Sequence, residues 1–408
     1  MPQSSQSTHA GTRWAVRIIP LVILGIISLA TYAVVGHLCV DYLYKEKHQS
    51  GVVTVFLTLF FLFLFLTLAT YLRTFVSVQR DPGLVPLPPD IEAEHDAINK
   101  ARKNRRRRDR DVEERAWTPP DPNPDSPFLE EFYSKDIFVC EADGRPKWCS
   151  ECRRWKPDRA HHSSELGRCV RKMDHFCPWV GGMVSETSFN FFVQFTFYCT
   201  LYCAMCLAVG GYSLRQQHND GSGLDGWTIA VVVLASVFGS FACGMALTSL
   251  RFVVINITNI DMLRRTHTVH LAVRIPRTTP PTEKYTTIIY PLRRPGSEGP
   301  QNSPSDAVCI RDQQAERKFA ILRTQPRENP WNLGFHENWK SVMGDNFVEW
   351  LLPIRHSPCC SHESMESDYK YGSLITKLRK RYGVPDIHAS RNGGDGIEMQ
   401  ATRKERSH

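Results

Sequence analysis

The chain has 408 residues, a formal net charge of +8 and thirteen cysteines. Its mean hydropathy of −0.30 looks soluble only because long polar stretches average against very apolar ones. That unevenness excludes an ordinary soluble globular chain, and an odd number of cysteines at this length excludes a small secreted disulfide framework.

Residues 1–13 are polar and rich in Ser and Thr, which predicts a disordered cytosolic tail. Residues 18–40 form the first apolar run, too long for a signal-peptide core and without a convincing cleavage pattern, so it reads as a retained span. Further runs cover 52–71, with its FFLFLFL string, 189–212 and 229–250. Each matches the ~20 residues that cross a hydrocarbon core. Buried helices of a large soluble protein are the alternative, but four uncharged runs of this length are rare there. The expected fold class is an α-helical integral membrane protein: four transmembrane helices, with a cytosolic zinc-binding cysteine-rich domain between helices 2 and 3.

Lysine and arginine set the orientation. Residues 100–110, between spans two and three, carry eight bases and one acid, and Arg251, Arg264 and Arg265 follow span four. The short connections 41–51 and 213–228 carry only Lys45, Lys47 and Arg215. Both termini and the cysteine-rich loop are therefore expected in the cytoplasm, of an endomembrane or of the plasma membrane. The basic run is expected to touch anionic lipid; a multi-span protein argues against nucleic acid as its partner.

The remaining boundaries follow from composition. Residues 14–83 hold the first two spans and end on the turn-forming Asp81-Pro82-Gly83; 84–144 read as a basic flexible linker. Residues 145–187 are the cysteine-rich zinc and catalytic domain, 188–255 the third and fourth spans, and 256–276 a cytosolic segment. A Pro-rich, mostly disordered linker is expected over 277–328 and a disordered tail over 383–408. Between them, 329–382 is expected to be helical. Trp339, Met343, Phe347, Trp350 and Leu351 fall near one helical face there, which suits a helix in the membrane interface or a packed helix without lipid contact.

The central stretch 149–190 carries the chemistry. Cys149-x2-Cys152, followed by His161-His162 and Cys169, offers four ligands for a tetrahedral zinc, because a C-x2-C hook supplies two thiolates from one tight turn. Ordinary buried thiols beside surface histidines are the bland reading. Further on, Asp174, His175 and Cys177 stand together before Pro178. Pro178 biases Cys177 towards an extended backbone, and residues two apart in an extended segment point the same way. His175 can thus reach the Cys177 thiol as base while Asp174 orients the ring, the logic of other nucleophile–base–carboxylate sets. A packed structural loop is the alternative.

The string C-x2-C-x3-K-P-x-R-x-H-H, then C-V-x-x-M-D-H-x-C-P-W-V, resembles the cysteine-rich domain of the DHHC-type protein S-acyltransferases (palmitoyltransferases). Asp81-Pro82-Gly83 is similar to that family's D-P-G motif, and Thr258-Asn259-Ile260-Asp261 looks like a degenerate T-T-x-E. The resemblance covers roughly residues 14–83, 145–265 and 329–353, and its motifs occur in the family's order.

The resemblance implies a metal pattern with a gap. In the family two zinc ions each take three Cys and one His. The first set maps onto Cys149, Cys152, His162 and Cys169, all present; the second falls on Ser163, Leu166, Phe176 and Met183, none of which is a cysteine or histidine. One zinc is therefore expected, with the second site lost as a unit and apolar packing in its place. The name motif reads Asp174-His175-Phe176-Cys177, so the histidine that is missing is a metal ligand and not the base.

The activity so implied is a ping-pong transfer. Cys177 takes a long acyl chain from palmitoyl-CoA or another long-chain acyl-CoA, with His175 as general base and Asp174 orienting it. The cysteine of a membrane-associated substrate protein then takes the chain. Each step exchanges one thioester for another, so no energy input is needed. The resemblance puts Trp179 near the mouth of an apolar slot between the spans; Tyr202, reached by ungapped extension along span three and outside the motif, is expected at its far end. Lys156 and Arg159 are candidates for the CoA phosphates, with a solvated face as the alternative. Around 182–185 the family's N-C-V-G becomes Gly182-Met183-Val184-Ser185. These departures motivate a rival reading, a catalytically inactive relative serving as a membrane scaffold or partner subunit. A channel or transporter would need polar residues in the spans, where Gln194 is the main one. Cys359-Cys360 is read as unremarkable, with acylation near the interface as the alternative.

Overall fold

The computed structural model describes residues 5–87, 91–93, 119–121, 126, 128–221, 223–290 and 316–385. The basic run 100–110 lies outside them, as do 291–315 of the stretch 277–328 and 386–408 of the tail 383–408, both expected to be disordered. The chain divides into two compact units, one of residues 1–83, 172–260 and 334–361, the other of 84–171, 261–333 and 362–408.

The first unit is built on four long helices. Helix α1, Ser5–Thr31, runs on into a π-helical turn series, Tyr32–Glu46; α2 is Ser50–Arg80, α3 Phe189–Asn219 and α4 Gly226–Ile255. All four are long and apolar enough to cross a membrane, and the protein is a multi-pass membrane protein. In lipid the backbone must satisfy its own polar groups, which is why such runs are helical. The helices overrun the apolar stretches read from sequence, and α1 starts at Ser5, inside the expected disordered tail, because a formed helix gains one hydrogen bond per added residue. Helix α3 is the most enclosed. It lies close against α4: a Cβ on Gly210 would meet Val232 at 2.8 Å and one on Gly239 would meet Cys203 at 3.1 Å, the small-residue contact that lets membrane helices approach.

The helical segment expected after residue 329 differs in form. It holds three short helices, α5 Phe335–Met343, α6 Phe347–Leu351 and α7 Leu374–Tyr382, the first two separated at Gly344, whose φ of +98° suits only glycine. The break folds the expected single face back on itself, so that the Trp339 and Trp350 rings meet edge to face at 5.8 Å. Gln194, the polar residue of the third span, is used here. Its amide donates to the carbonyls of Glu349 at 2.8 Å, Trp350 at 3.1 Å and Leu352 at 3.2 Å, capping the end of α6.

The second unit holds a feature that composition did not announce. Strands β1 (Ile137–Cys140), β8 (His270–Ile275), β9 (Thr286–Tyr290) and β10 (Arg317–Arg323) form one antiparallel sheet in the order β1-β8-β10-β9. Phe132, Phe138, Trp155, Tyr290 and Phe319 pack on it as a core. The linkers expected over 84–144 and 277–328 thus each contribute strands. Their apolar runs are short and separated by Pro-rich chain, so no window long enough to show a period contains two of them. Among the described residues there are also three small hairpins: β2 (Lys147–Cys149) with β3 (Arg154–Lys156), β4 (His161–Ser163) with β5 (Arg168–Val170), and, in the first unit, β6 (His175–Cys177) with β7 (Gly182–Val184).

Candidate active site and metal centre

Two hairpins of the second unit bring four ligands together. Cys149 ends β2 and Cys152 follows in the turn, while His162 and Cys169 face each other across β4 and β5. Their ligand atoms all lie within 4.8 Å of one another. His162 Nδ1 stands 3.5 Å from the Cys149 sulfur and 3.4 Å from that of Cys152. Tetrahedral zinc with Zn–S of about 2.3 Å and Zn–N of about 2.0 Å would space its ligands by about 3.5–3.8 Å, so the set fits. Alternation along β4 separates the two histidines: His162 joins the sulfurs and His161 takes the other face. Around the set Val85, Leu87 and Ala160 form only a small apolar cluster, too little to order these hairpins unaided.

The second group is in the first unit, on β6. Cys177 has φ −119° and ψ 107°, the extended backbone favoured before Pro178, and its thiol is buried. Asp174 is buried too; one carboxylate oxygen stands 2.6 Å from His175 Nδ1 and the other accepts the Asn259 N–H at 2.9 Å. The engaged Nδ1 leaves Nε2 as the nitrogen available to the Cys177 thiol; it is buried with no hydrogen-bond partner among the described residues. Burial would depress the pKa of this ring, but the Asp174 carboxylate and the neighbouring Cys177 sulfur outweigh it and push the value up to about 9. Near neutral pH the ring therefore holds a proton, the state that stabilises a thiolate beside it. Asn259 belongs to the T-T-x-E-like segment, for which sequence gave no role.

The turn after Cys177 is fixed from α2. Gln79 donates to the Gly181 carbonyl at 2.7 Å and Tyr71 to that of Trp179 at 3.2 Å. Where the sequence leaves the family pattern, hydroxyls take over: Ser185 donates to the Pro82 carbonyl at 2.9 Å, Thr187 to that of Asp81 at 2.5 Å, and Ser77 to that of Thr187 at 2.9 Å. The D-P-G turn and the segment after β7 are thereby sewn together. Gly181 has φ +82°, and a Cβ there would meet Phe75 at 2.8 Å. Gly181→Ala should lower stability by about 1–3 kcal/mol for the left-handed conformation alone and slow acylation of Cys177; thermal unfolding and labelling of the same preparation would check both.

Cys177 and Trp179 open onto an almost wholly apolar cavity between the four helices. One face of α3 forms its length, through Phe192, Thr196, Cys199, Tyr202, Cys203 and Cys206. At 1.5 Å per residue that face extends about 21 Å. One leaflet's acyl chains fill about half of a ~30 Å hydrocarbon core, so the cavity has the length for a long acyl chain. Trp179 is partly exposed and packs on Phe241 at 5.7 Å. Tyr202 is buried against Phe60 at 5.4 Å.

The profile of the DHHC palmitoyltransferase family matches residues 142–266. The chain is 38% identical to palmitoyltransferase pfa5 of Aspergillus fumigatus over 90% of each sequence. It is 36% identical to palmitoyltransferase pfa5 of Emericella nidulans over 92% of this chain and 87% of that protein. It belongs to the DHHC palmitoyltransferase family. A more distant relative, palmitoyltransferase PFA5 of Saccharomyces cerevisiae, is 26% identical over 61% of this chain and 63% of its own. Membership supports the acyltransferase reading over the inactive scaffold.

The family's second metal set can now be followed position by position. Phe176 and Met183 are directly paired across β6 and β7, and Met183 is fully buried. Ser163 is buried; its hydroxyl donates to Glu165 at 2.9 Å and accepts the Leu166 N–H at 3.3 Å, closing the turn between β4 and β5. A cross-strand apolar pair and a serine-closed turn occupy these positions. Of the two residues offered to CoA, Arg159 is corrected. It is buried, paired with Asp261 at 2.5 Å and stacked over Trp331 at 4.8 Å, so its guanidinium is committed inside the unit. Lys156 is half-buried opposite Lys147 on the β2–β3 hairpin. Like charges placed opposite one another repel, and burial together with Arg264 and Lys156 holds the Lys147 pKa down against the pull of Glu141.

Proposed function

We propose that the chain performs protein S-palmitoylation through Cys177. The observation that carries this reading is the buried Cys177 thiol at the head of the apolar cavity, next to a His175–Asp174 pair whose ring keeps its proton. Cys177 and His175 react as a thiolate–imidazolium pair: the proton of the thiol resides on the ring, and Asp174 stabilises that imidazolium. The thiolate attacks the thioester carbonyl of a long-chain acyl-CoA, the new S–acyl bond replaces the bond to CoA, and CoA leaves as the thiol. The acyl chain lies in the cavity with Trp179 at its mouth and Tyr202 along its wall. A cysteine of a membrane-associated substrate protein then attacks the acyl-Cys177 carbonyl and regenerates the thiol.

Cys149, Cys152, His162 and Cys169 hold one zinc, whose part is structural because all four positions come from protein. The catalytic residues face the cytoplasm, the side where the flanking arginines lie. A chase experiment tests the two-step course. Acyl-enzyme freed of acyl-CoA should pass its label to a cysteine-bearing, membrane-anchored peptide and release unlabelled enzyme. Transfer that occurs only while acyl-CoA is present would contradict the covalent intermediate.

A further inference from the structure

Four residues that the acyl transfer does not use meet beside the β6–β7 hairpin. Lys172 enters it from the N-terminal side and Glu186 leaves it on the other. Cys359 and Cys360 lie in the short 3-10 turn Pro358–Cys360. The buried Lys172 ammonium donates to the Cys359 sulfur at 3.5 Å, and the Cys360 thiol donates to the Glu186 carbonyl at 3.1 Å. Cys359 and Cys360 are both partly exposed.

The two sulfurs are not equivalent. Cys360 has one proton, shared between the Glu186 carbonyl and the Cys359 sulfur, and is held as a neutral thiol. Cys359 receives from an ammonium, and an ammonium kept from water beside a thiol favours the thiolate. The groups facing Cys359 are Cys360, Lys172 and Glu186. The hydrogen bond from Cys360 and the Lys172 charge lower the Cys359 pKa, while burial and Glu186 oppose them without prevailing. Cys360 is pushed the other way by its neighbour and by burial. The turn therefore carries one thiolate and one thiol.

We propose that Cys359 is a second reactive thiolate of this chain, a modification site that exchanges with low-molecular-weight disulfides of the glutathione type. The Cys359 sulfur attacks one sulfur of the disulfide; the Cys359–S–S–R bond forms as the R–S–S–R bond breaks, and the released thiolate takes a proton from water. Cys359 is oxidised and one half of the reagent reduced. The mixed disulfide is neutral, so the Lys172 ammonium loses the anionic sulfur it faces, two residues before Asp174.

The test uses full-length protein carrying Cys177→Ser, which removes the other nucleophile. After exposure to oxidised glutathione at pH 7, peptide mapping should find the adduct on Cys359, removable by a thiol reductant. Iodoacetamide at pH 6.5 should alkylate Cys359 at least about tenfold faster than Cys360, since rate follows thiolate fraction. Lys172→Met should slow Cys359 alkylation by about tenfold and Lys172→Arg should leave it nearly unchanged. An adduct on Cys360 instead, no adduct, or a Lys172→Met protein that alkylates at the original rate would overturn the proposal. Should Lys172→Met fail to fold, the pH profile of Cys359 alkylation in the parent protein decides. A midpoint below the ordinary thiol value of about 8.5 supports the site; one at or above it refutes it.

Discussion

His175→Gln should slow acylation of Cys177 by about 10²–10⁴-fold at pH 7, the usual contribution of a positioned base. The glutamine keeps a similar volume beside Phe192, whose ring centroid lies 5.2 Å from that of His175, so the loss would be chemical and not a cavity. The pH dependence identifies the cause. In the parent protein the ring is protonated up to about pH 9, raised there against its own burial by Asp174 and the Cys177 sulfur. In the variant the thiolate must form without an imidazolium, so its rate should climb with pH while the parent's stays flatter. The deficit is largest at low pH and narrows towards pH 9. Stability follows the same sign. A folded value above the unfolded one contributes fully below about pH 6.5 and is lost as pH rises through about 9. A deficit that is constant from pH 6 to 9 would show that His175 only packs.

Removal of the metal should have the second large effect, on folding. Structural zinc contributes roughly 10–16 kcal/mol in small domains, as much as the 5–15 kcal/mol that holds a typical domain folded. Chelation, or Cys169→Ser, should therefore expose the β2–β5 hairpins to protease and to rapid hydrogen exchange. The parent protein should contain one equivalent of zinc per chain and the variant none. Two equivalents in the parent, or full protection in Cys169→Ser, would contradict the single-site reading. The positions that hold the family's other metal set are filled by the Phe176–Met183 cross-strand pair and the Ser163 turn.

The parts of this molecule that sequence made legible are those with a local signature. Four apolar runs announced four membrane helices, and the C-x2-C hook with His162 and Cys169 announced a set that the fold gathers within 4.8 Å. The neighbourhood of Asp174, His175 and Cys177 was legible because a strand before proline puts alternate residues on one side. What sequence hid depends on distant partners. The four-stranded sheet joins segments of 137–140 and 270–323, whose pairing no single window contains. Arg159 looked available for phosphate because Asp261 lies far along the chain. The Asn259 amide on Asp174, and the Ser185 and Thr187 hydroxyls on the D-P-G turn, were hidden for the same reason. Gly344 hid in plain view: helical spacing on both sides of it suggested one helix, and its positive φ makes two.

Autoacylation tests the central claim most directly. Purified protein incubated with labelled palmitoyl-CoA should take one hydroxylamine-labile acyl group, mapped to Cys177, and Cys177→Ser should take none there. Label that persists unchanged in a folded Cys177→Ser protein, or a folded parent that takes no label at all, would contradict the assignment of Cys177 as the nucleophile.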